Sequence, residues 1–200
     1  VDADVPSRVW GGNEEYVVSA DGSTVYFAAR IRDSKEPTST NFDIYAAPAN
    51  GKGQTVNLTK ANLAWDTQPV LSPDGRTLAY LAMRRPGFEA DRFRIMLRDL
   101  ATGNTRELAA EWDRSPSSLS FSKDGKAIYA NAHDVGNRTL WRIDLDSGDM
   151  VKLVAEGSVS AVDTSPQGVV FARNDLKSPT ELHVLLNGDT EPRQLTDFSG

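Results

Sequence analysis

The chain has 200 residues, 39% of them hydrophobic, a net charge of −6 and no cysteine. Its length and apolar content suffice for one sizeable domain, while the acidic balance argues against nucleic acid or anionic membrane as general partners, since phosphates are held by clustered Lys and Arg. Disulfides, thiolate nucleophiles and cysteine-based zinc sites are excluded, and no run approaches the roughly 18 apolar residues needed to span a bilayer.

The chain opens on Val1-Asp2-Ala3-Asp4, with neither an initiating methionine nor a basic, apolar leader, which fits a processed or excised piece of a longer protein. One pattern then runs four times, over about 14–60, 64–112, 116–156 and 159–198. Its marker is a serine-led turn: Ser19-Ala20-Asp21-Gly22, Ser72-Pro73-Asp74-Gly75, Ser122-Lys123-Asp124-Gly125 and a decayed Ser165-Pro166-Gln167-Gly168. Each turn separates two apolar runs and so predicts a hairpin, glycine supplying the positive φ. The four glycines lie 53, 50 and 43 residues apart, close to the roughly 40–50 of one four-stranded propeller blade.

Second strands are expected at Thr24–Ala29, Thr77–Ala82, Ala127–Ala132 and Val169–Arg173, where aromatic and β-branched residues collect. Third strands follow at Asp43–Ala47, Arg94–Leu100, Leu140–Leu145 and Glu181–Leu186, and fourth strands close on Leu58, Leu108, Leu153 and Leu195. Sixteen strands and no amphipathic stretch of helical length predict an all-β chain: a β-propeller portion of four four-stranded antiparallel blades. Successive hairpins alternate ends, so each blade has a short turn end and an end with longer connections: Arg30–Asn41, Arg84–Asp91, His133–Arg138 and Asn174–Pro179. Function is expected at the second end.

No Gly-x-Ser-x-Gly elbow occurs, and the two histidines, His133 on an expected loop and His183 within a strand, leave no serine triad and no metal site. Asp144-Leu145-Asp146-Ser147-Gly148-Asp149 lacks the distal glutamate of a calcium loop and reads as a hairpin turn. Trp65-Asp66 and Trp112-Asp113-Arg114, at matching positions before two inner strands, read as blade-packing repeats. The unusual stretch is Met83 to Arg94, which mixes arginines, carboxylates and aromatics between two strands. Its charges either pair with one another to hold a long loop or bind a substrate terminus, a carboxylate reading a free amine.

The blade pattern closing on Gln194-Leu195-Thr196 resembles propellers of TolB-like and WD40-like proteins and of the prolyl oligopeptidase family. More specifically, Ser39-Thr40-Asn41-Phe42-Asp43-Ile44-Tyr45, Asn57-Leu58-Thr59, Ala64-Trp65-Asp66-Thr67-Gln68-Pro69 and Arg85-Pro86-Gly87-Phe88-Glu89-Ala90-Asp91-Arg92 resemble the bacterial dipeptidyl and acylaminoacyl peptidases of that family, over essentially the whole chain. The resemblance implies a serine, aspartate and histidine in an α/β-hydrolase domain that this stretch does not contain, with further blades also outside it. It implies a propeller that gates oligopeptide access and helps recognise the peptide N-terminus. Within it, Glu89 and Asp91, positioned by Arg85 and Arg92, are the residues expected to face the catalytic chamber. No cofactor is expected. The expected partners are the oligopeptide, the hydrolase domain, the remaining blades and possible further copies of the chain; the expected compartment is bacterial, periplasm or cytoplasm. A TolB-like interaction module is the alternative, and a propeller glycosidase with paired carboxylates a third reading.

The chain by itself is expected to hydrolyse no peptide, because neither elbow nor triad is encoded in it. Turnover of chromogenic dipeptides that persists through repurification and a general serine-protease inhibitor would contradict this.

Overall fold

A computed structural model describes residues 3–5, 11–32, 34 and 36–198. The chain forms two compact units, Val1–Leu108 and Ala109–Gly200. The first begins with β1 (Ala3–Asp4) and holds two four-stranded antiparallel blades: β2 (Tyr16–Val18), β3 (Thr24–Ile31), β4 (Asp43–Pro48) and β5 (Val56–Asn57), then β6 (Asp66–Leu71), β7 (Thr77–Ala82), β8 (Arg94–Asp99) and β9 (Thr105–Leu108). The second unit holds β10 (Pro116–Phe121), β11 (Ala127–Asp134), β12 (Asn137–Asp144) and β13 (Met150–Val154), then β14 (Ser158–Ser165), β15 (Gly168–Asn174), β16 (Glu181–Leu186) and β17 (Arg193–Gln194). The only helical pieces among the described residues are single 3-10 turns, Asn13–Glu15 and Glu36–Thr38.

The described residues hold one strand more than the sixteen expected. β1 pairs with the end of β3, Ala3 opposite Ile31 and Asp4 opposite Arg30. The cause is length: β3 runs past the last residues paired by β2 and β4, Phe27 and Ala29, and leaves edge N–H and C=O groups open.

The serine-led turns show why that motif repeats. Ser72 Oγ donates to Asp74 Oδ1 at 2.6 Å and accepts the Thr77 N–H at 2.9 Å, while Asp74 Oδ1 also accepts the Arg76 N–H at 3.1 Å. Ser19 with Asp21 and Ser122 with Asp124 repeat the arrangement at 2.6 Å. The glycines close these turns at φ of +70°, +69° and +69°. The fourth turn is built differently. Ser165 pairs with Gly168 across a two-residue loop, and a Cβ on Gly168 would lie 2.2 Å from the Leu185 carbonyl oxygen, so this glycine answers a close strand approach.

Three further expectations are corrected. His133 is a strand residue: β11 and β12 pair down to Asp134–Asn137, so the expected loop shrinks to Val135-Gly136, a type I′ turn with φ of +45° and +82°. Trp65 and Trp112 do not match, since Trp65 precedes the turn serine Ser72 by seven residues and Trp112 precedes Ser122 by ten. Trp112 packs edge-on against Trp141 at 5.5 Å, whereas Trp65 stacks on Phe42 at 4.9 Å. In the third blade a bulge at Leu140/Trp141 places Val154, not Leu153, opposite Leu140. Asp144–Asp149 does form a hairpin turn, Asp144 Oδ1 accepting the N–H groups of Asp146 and Ser147 at 3.0 Å.

Apolar residues between paired blades make the core of each unit. Ala28 and Ile44 of the first blade meet Leu78, Tyr80 and Ala82 of the second. In the other unit Tyr129, Leu140 and Val154 meet Val159, Val169, Phe171 and Leu185. Each fully buried Leu, Ile or Phe contributes roughly 1.5–3 kcal/mol.

Val135 carries a β-branched side chain in left-handed backbone while 92% exposed, so it has strain and no packing to compensate. Val135→Asn should therefore stabilise the protein by about 1 kcal/mol. A chemical denaturation midpoint that does not rise would contradict this account of the turn.

Candidate functional site

The longest connections within the blades of the first unit are those after β3 and β7, which join second strand to third at the same end of each blade. The β7–β8 loop is held from within. Asp91 Oδ2 accepts the N–H groups of Arg84 and Arg85, each at 2.8 Å, and Asp91 Oδ1 meets Arg85 Nε at 3.3 Å. Burial opposes ionisation of Asp91, but the backbone donors of Arg84, Arg85 and Arg92 outweigh it and hold the carboxyl below its ordinary range. Arg85 also lies over the Phe88 ring, 3.8 Å from its centroid. Gly87 donates its N–H to Thr40 Oγ1 at 2.9 Å, which ties this loop to the one after β3. Beside that tie lies a cleft of about 510 Å³ whose walls include Arg30, Glu36, Ser39, Asn41, Leu63 and Pro86.

At the base of the loop, Glu107 of β9 receives Arg84 and Arg94 at 3.4 Å and Arg92 at 3.5 Å. Arg94 Nη2 donates to the Met83 carbonyl at 2.9 Å and closes the loop neck. The Trp65 ring fills the neck between Phe42 and Phe93. Four arginines and three carboxylates therefore share one loop and its support. Asp91 organises the loop backbone, Arg85 joins Asp91 to Phe88, and Arg92 turns to Glu107. Glu89 is exposed and, among the described residues, has no hydrogen-bond or ion-pair partner. Glu107 and Thr40 escape sequence reading because their partners lie 13 to 47 positions away.

Beneath the loops sit buried acids. Asp43, at the start of β4, accepts from Asn41 Nδ2 at 3.2 Å, Asn57 Nδ2 at 2.9 Å and Thr59 Oγ1 at 3.4 Å, and Thr59 Oγ1 in turn accepts the Ile44 N–H at 2.9 Å. The fourth blade repeats this clamp: Glu181 accepts from Thr196 Oγ1 and from the Phe198 N–H, and Thr196 Oγ1 accepts the Leu182 N–H at 2.9 Å. Asp66, fully buried at the start of β6, accepts from Asn62 Nδ2 at 2.8 Å through one oxygen only. His183 stacks on Phe171 at 5.8 Å, a packing role. Among the described residues no group of three or more His, Asp or Glu is arranged to hold a metal ion.

No protein-family model matches the chain. Dipeptidyl-peptidase 5 of Porphyromonas gingivalis is 30% identical over 183 residues, 90% of this chain and 26% of that protein. Probable dipeptidyl-peptidase 5 of Emericella nidulans is 35% identical over 157 residues, 74% of this chain and 22% of that protein, so the relatives are fungal as well as bacterial. The chain thus spans about a quarter of the length of these curated relatives. Among solved structures, a putative TolB from Agrobacterium tumefaciens superposes with a TM-score of 0.69 at 21% identity, over 91% of this chain and 64% of that one. The acylaminoacyl peptidase of Pyrococcus horikoshii superposes with a TM-score of 0.68 at 17% identity, over 90% of this chain and 26% of that one. The fold is accordingly that of β-propeller blades.

Asp66 makes the support of the loops sensitive to pH. Burial pushes its carboxyl up to about 7, the Asp43 charge adding to the rise against the Asn62 amide and Arg94. A carboxyl that ionises later when folded contributes its full stability below the unfolded value near 4 and loses it as pH rises to about 7. Asp66→Asn, an isostere of the protonated acid, should gain on the parent chain by on the order of 3 kcal/mol between pH 4 and pH 7. Urea denaturation across that range checks it, and a difference independent of pH would show that Asp66 is ionised throughout.

Proposed function

From the homology of this chain to a segment of dipeptidyl-peptidase 5, the kinship its motifs resemble within the prolyl oligopeptidase family, we propose that it is the non-catalytic propeller part of a serine peptidase, gating oligopeptides and reading their N-terminal amine. The reading rests on one observation at the site. On a loop whose other charged side chains each sit in an ion pair, Glu89 stands exposed and unpaired. An ammonium group is the natural complement of a lone carboxylate, and the loop is already ordered by Asp91, Gly87 and Glu107, so binding requires little further ordering. The cleft beside Gly87, lined by Ser39, Asn41 and Pro86, offers room for the first residues of an extended peptide. Arg85 and Arg92 act as supports of this loop, through Asp91 and Glu107, and do not touch the amine themselves.

Topology supports the gating part of this reading. In each blade the fourth strand ends at the same end as the 2–3 connection, so the chain leaves β17 toward the loop end of its blade. A hydrolase domain continuing from there would face the loops, and peptides reaching it would pass them.

In the full-length enzyme, Glu89→Gln should raise KM for free-amine dipeptide substrates about tenfold and leave N-blocked substrates unchanged, the size expected for one charge-assisted hydrogen bond. An equal change for both substrates would remove amine recognition. A downstream reading frame without a Gly-x-Ser-x-Gly elbow would remove the peptidase reading and leave an interaction propeller.

A further inference from the structure

The second unit carries two arginines that form no ion pair among the described residues. Arg138, in β12, lies two residues before Leu140, and Arg173, in β15, lies two residues after Phe171. Side chains two apart on a strand share a face, and Leu140 and Phe171 belong to one apolar cluster between the paired blades. Both guanidinium groups therefore stand over the loop end of that cluster. Gly157 borders both residues, Arg138 through its backbone and Arg173 through its side chain. Its carbonyl accepts the Arg138 N–H at 2.9 Å, and a Cβ at this position would lie 2.9 Å from Arg173 Nε and 2.7 Å from the Asn174 carbonyl oxygen.

The Nε atoms of both arginines are buried without a hydrogen-bond partner, and the one side-chain bond made by either is Arg138 Nη2 to Ser117 Oγ at 3.0 Å. Neither forms an ion pair among the described residues. The acids nearby are engaged. Glu181, the cross-strand partner of Arg173, accepts from Thr196 and Phe198; Asp134 is held by Arg114 at 2.9 Å and Lys152 at 2.5 Å; Asp175 accepts the N–H groups of Lys177 and Ser178. His133, the cross-strand partner of Arg138, completes the surroundings. A guanidinium donor withdrawn from water and left unpaired destabilises the fold, so two at the loop end of one cluster point to a missing acceptor.

We infer that Arg138 and Arg173 form a binding site for a carboxylate group, the carboxylate of a peptide ligand. The peptide as its source rests on the function proposed above; the site itself does not. A carboxylate suits the place better than a phosphate, because Glu181 and Asp175 beside Arg173 offset part of the positive charge and disfavour a dianion.

Arginine Nε–Hε resonances of the 200-residue chain provide the readout, with Arg138→Gln and Arg173→Gln assigning the two signals. N-acetylglycine should shift both signals saturably, N-acetylglycinamide should shift neither, and each variant should bind the acid about tenfold more weakly. The absence of a saturable shift, an equal response to the amide, or tighter binding of inorganic phosphate would overturn the carboxylate site. If a glutamine variant fails to fold, Arg138→Lys and Arg173→Lys assign the signals and the parent titration decides. Arginines silent toward N-acetylglycine in a chain whose full-length form cleaves peptides sink this site alone. A response in a chain whose full-length form cleaves none keeps the site and removes the peptide as its source.

Discussion

The central strands of these blades are apolar on both faces, and that constraint shapes everything else. Leu78, Ala79, Tyr80, Leu81 and Ala82 of β7 are all buried, as are Ala127 to Ala132 of β11. A single twisted sheet covers neither of its own faces, so each blade is stable only against a neighbour. Within each unit one blade provides that cover for the other through a compact apolar cluster. With the strands committed to packing, chemical variety is confined to the connections, which is why the loop after β7 can hold four arginines without disturbing the sheet beneath it.

Short outer strands raise a second problem, and the blades solve it in two ways. β5 and β17 are two residues each, too short for ladder hydrogen bonds to hold alone. Those are the blades with the carboxylate–threonine clamp, Asp43 with Thr59 and Glu181 with Thr196. β9 and β13 run four and five residues and lack it: Arg94 and Thr139 stand where the acids would be, and Ala109 and Ala155 where the threonines would be. A longer ladder thus replaces a side-chain clamp. In the second blade the exchange frees the first position of β8 for Arg94, which closes the neck of the candidate loop and reaches Glu107.

The same economy separates the two proposed ligand contacts from their surroundings. Around the β7–β8 loop, every charged side chain except Glu89 sits in an ion pair, and around Gly157 the acids are engaged while the Nε atoms of two arginines are left without a partner.

Much of the fold was legible in the chain because it rests on local chemistry. Ser-x-Asp-Gly is a self-contained hydrogen-bonded turn, Asp144 caps its own hairpin, and strand alternation is set within six or seven residues. Local reading failed where a distant contact ruled: β1 was recruited by an open edge of β3, Gly168 answers Leu185 across a hairpin, and His133 was drawn into a strand by pairing that runs down to Asn137. The repeat, the all-β class and the concentration of charge from Met83 to Arg94 can be read from the chain alone. Which charged groups keep a partner is settled in space, because Glu107, Thr40, Ser117 and Gly157 reach theirs through strand pairing and blade packing, and Coulombic and hydrogen-bond matching depends on distance.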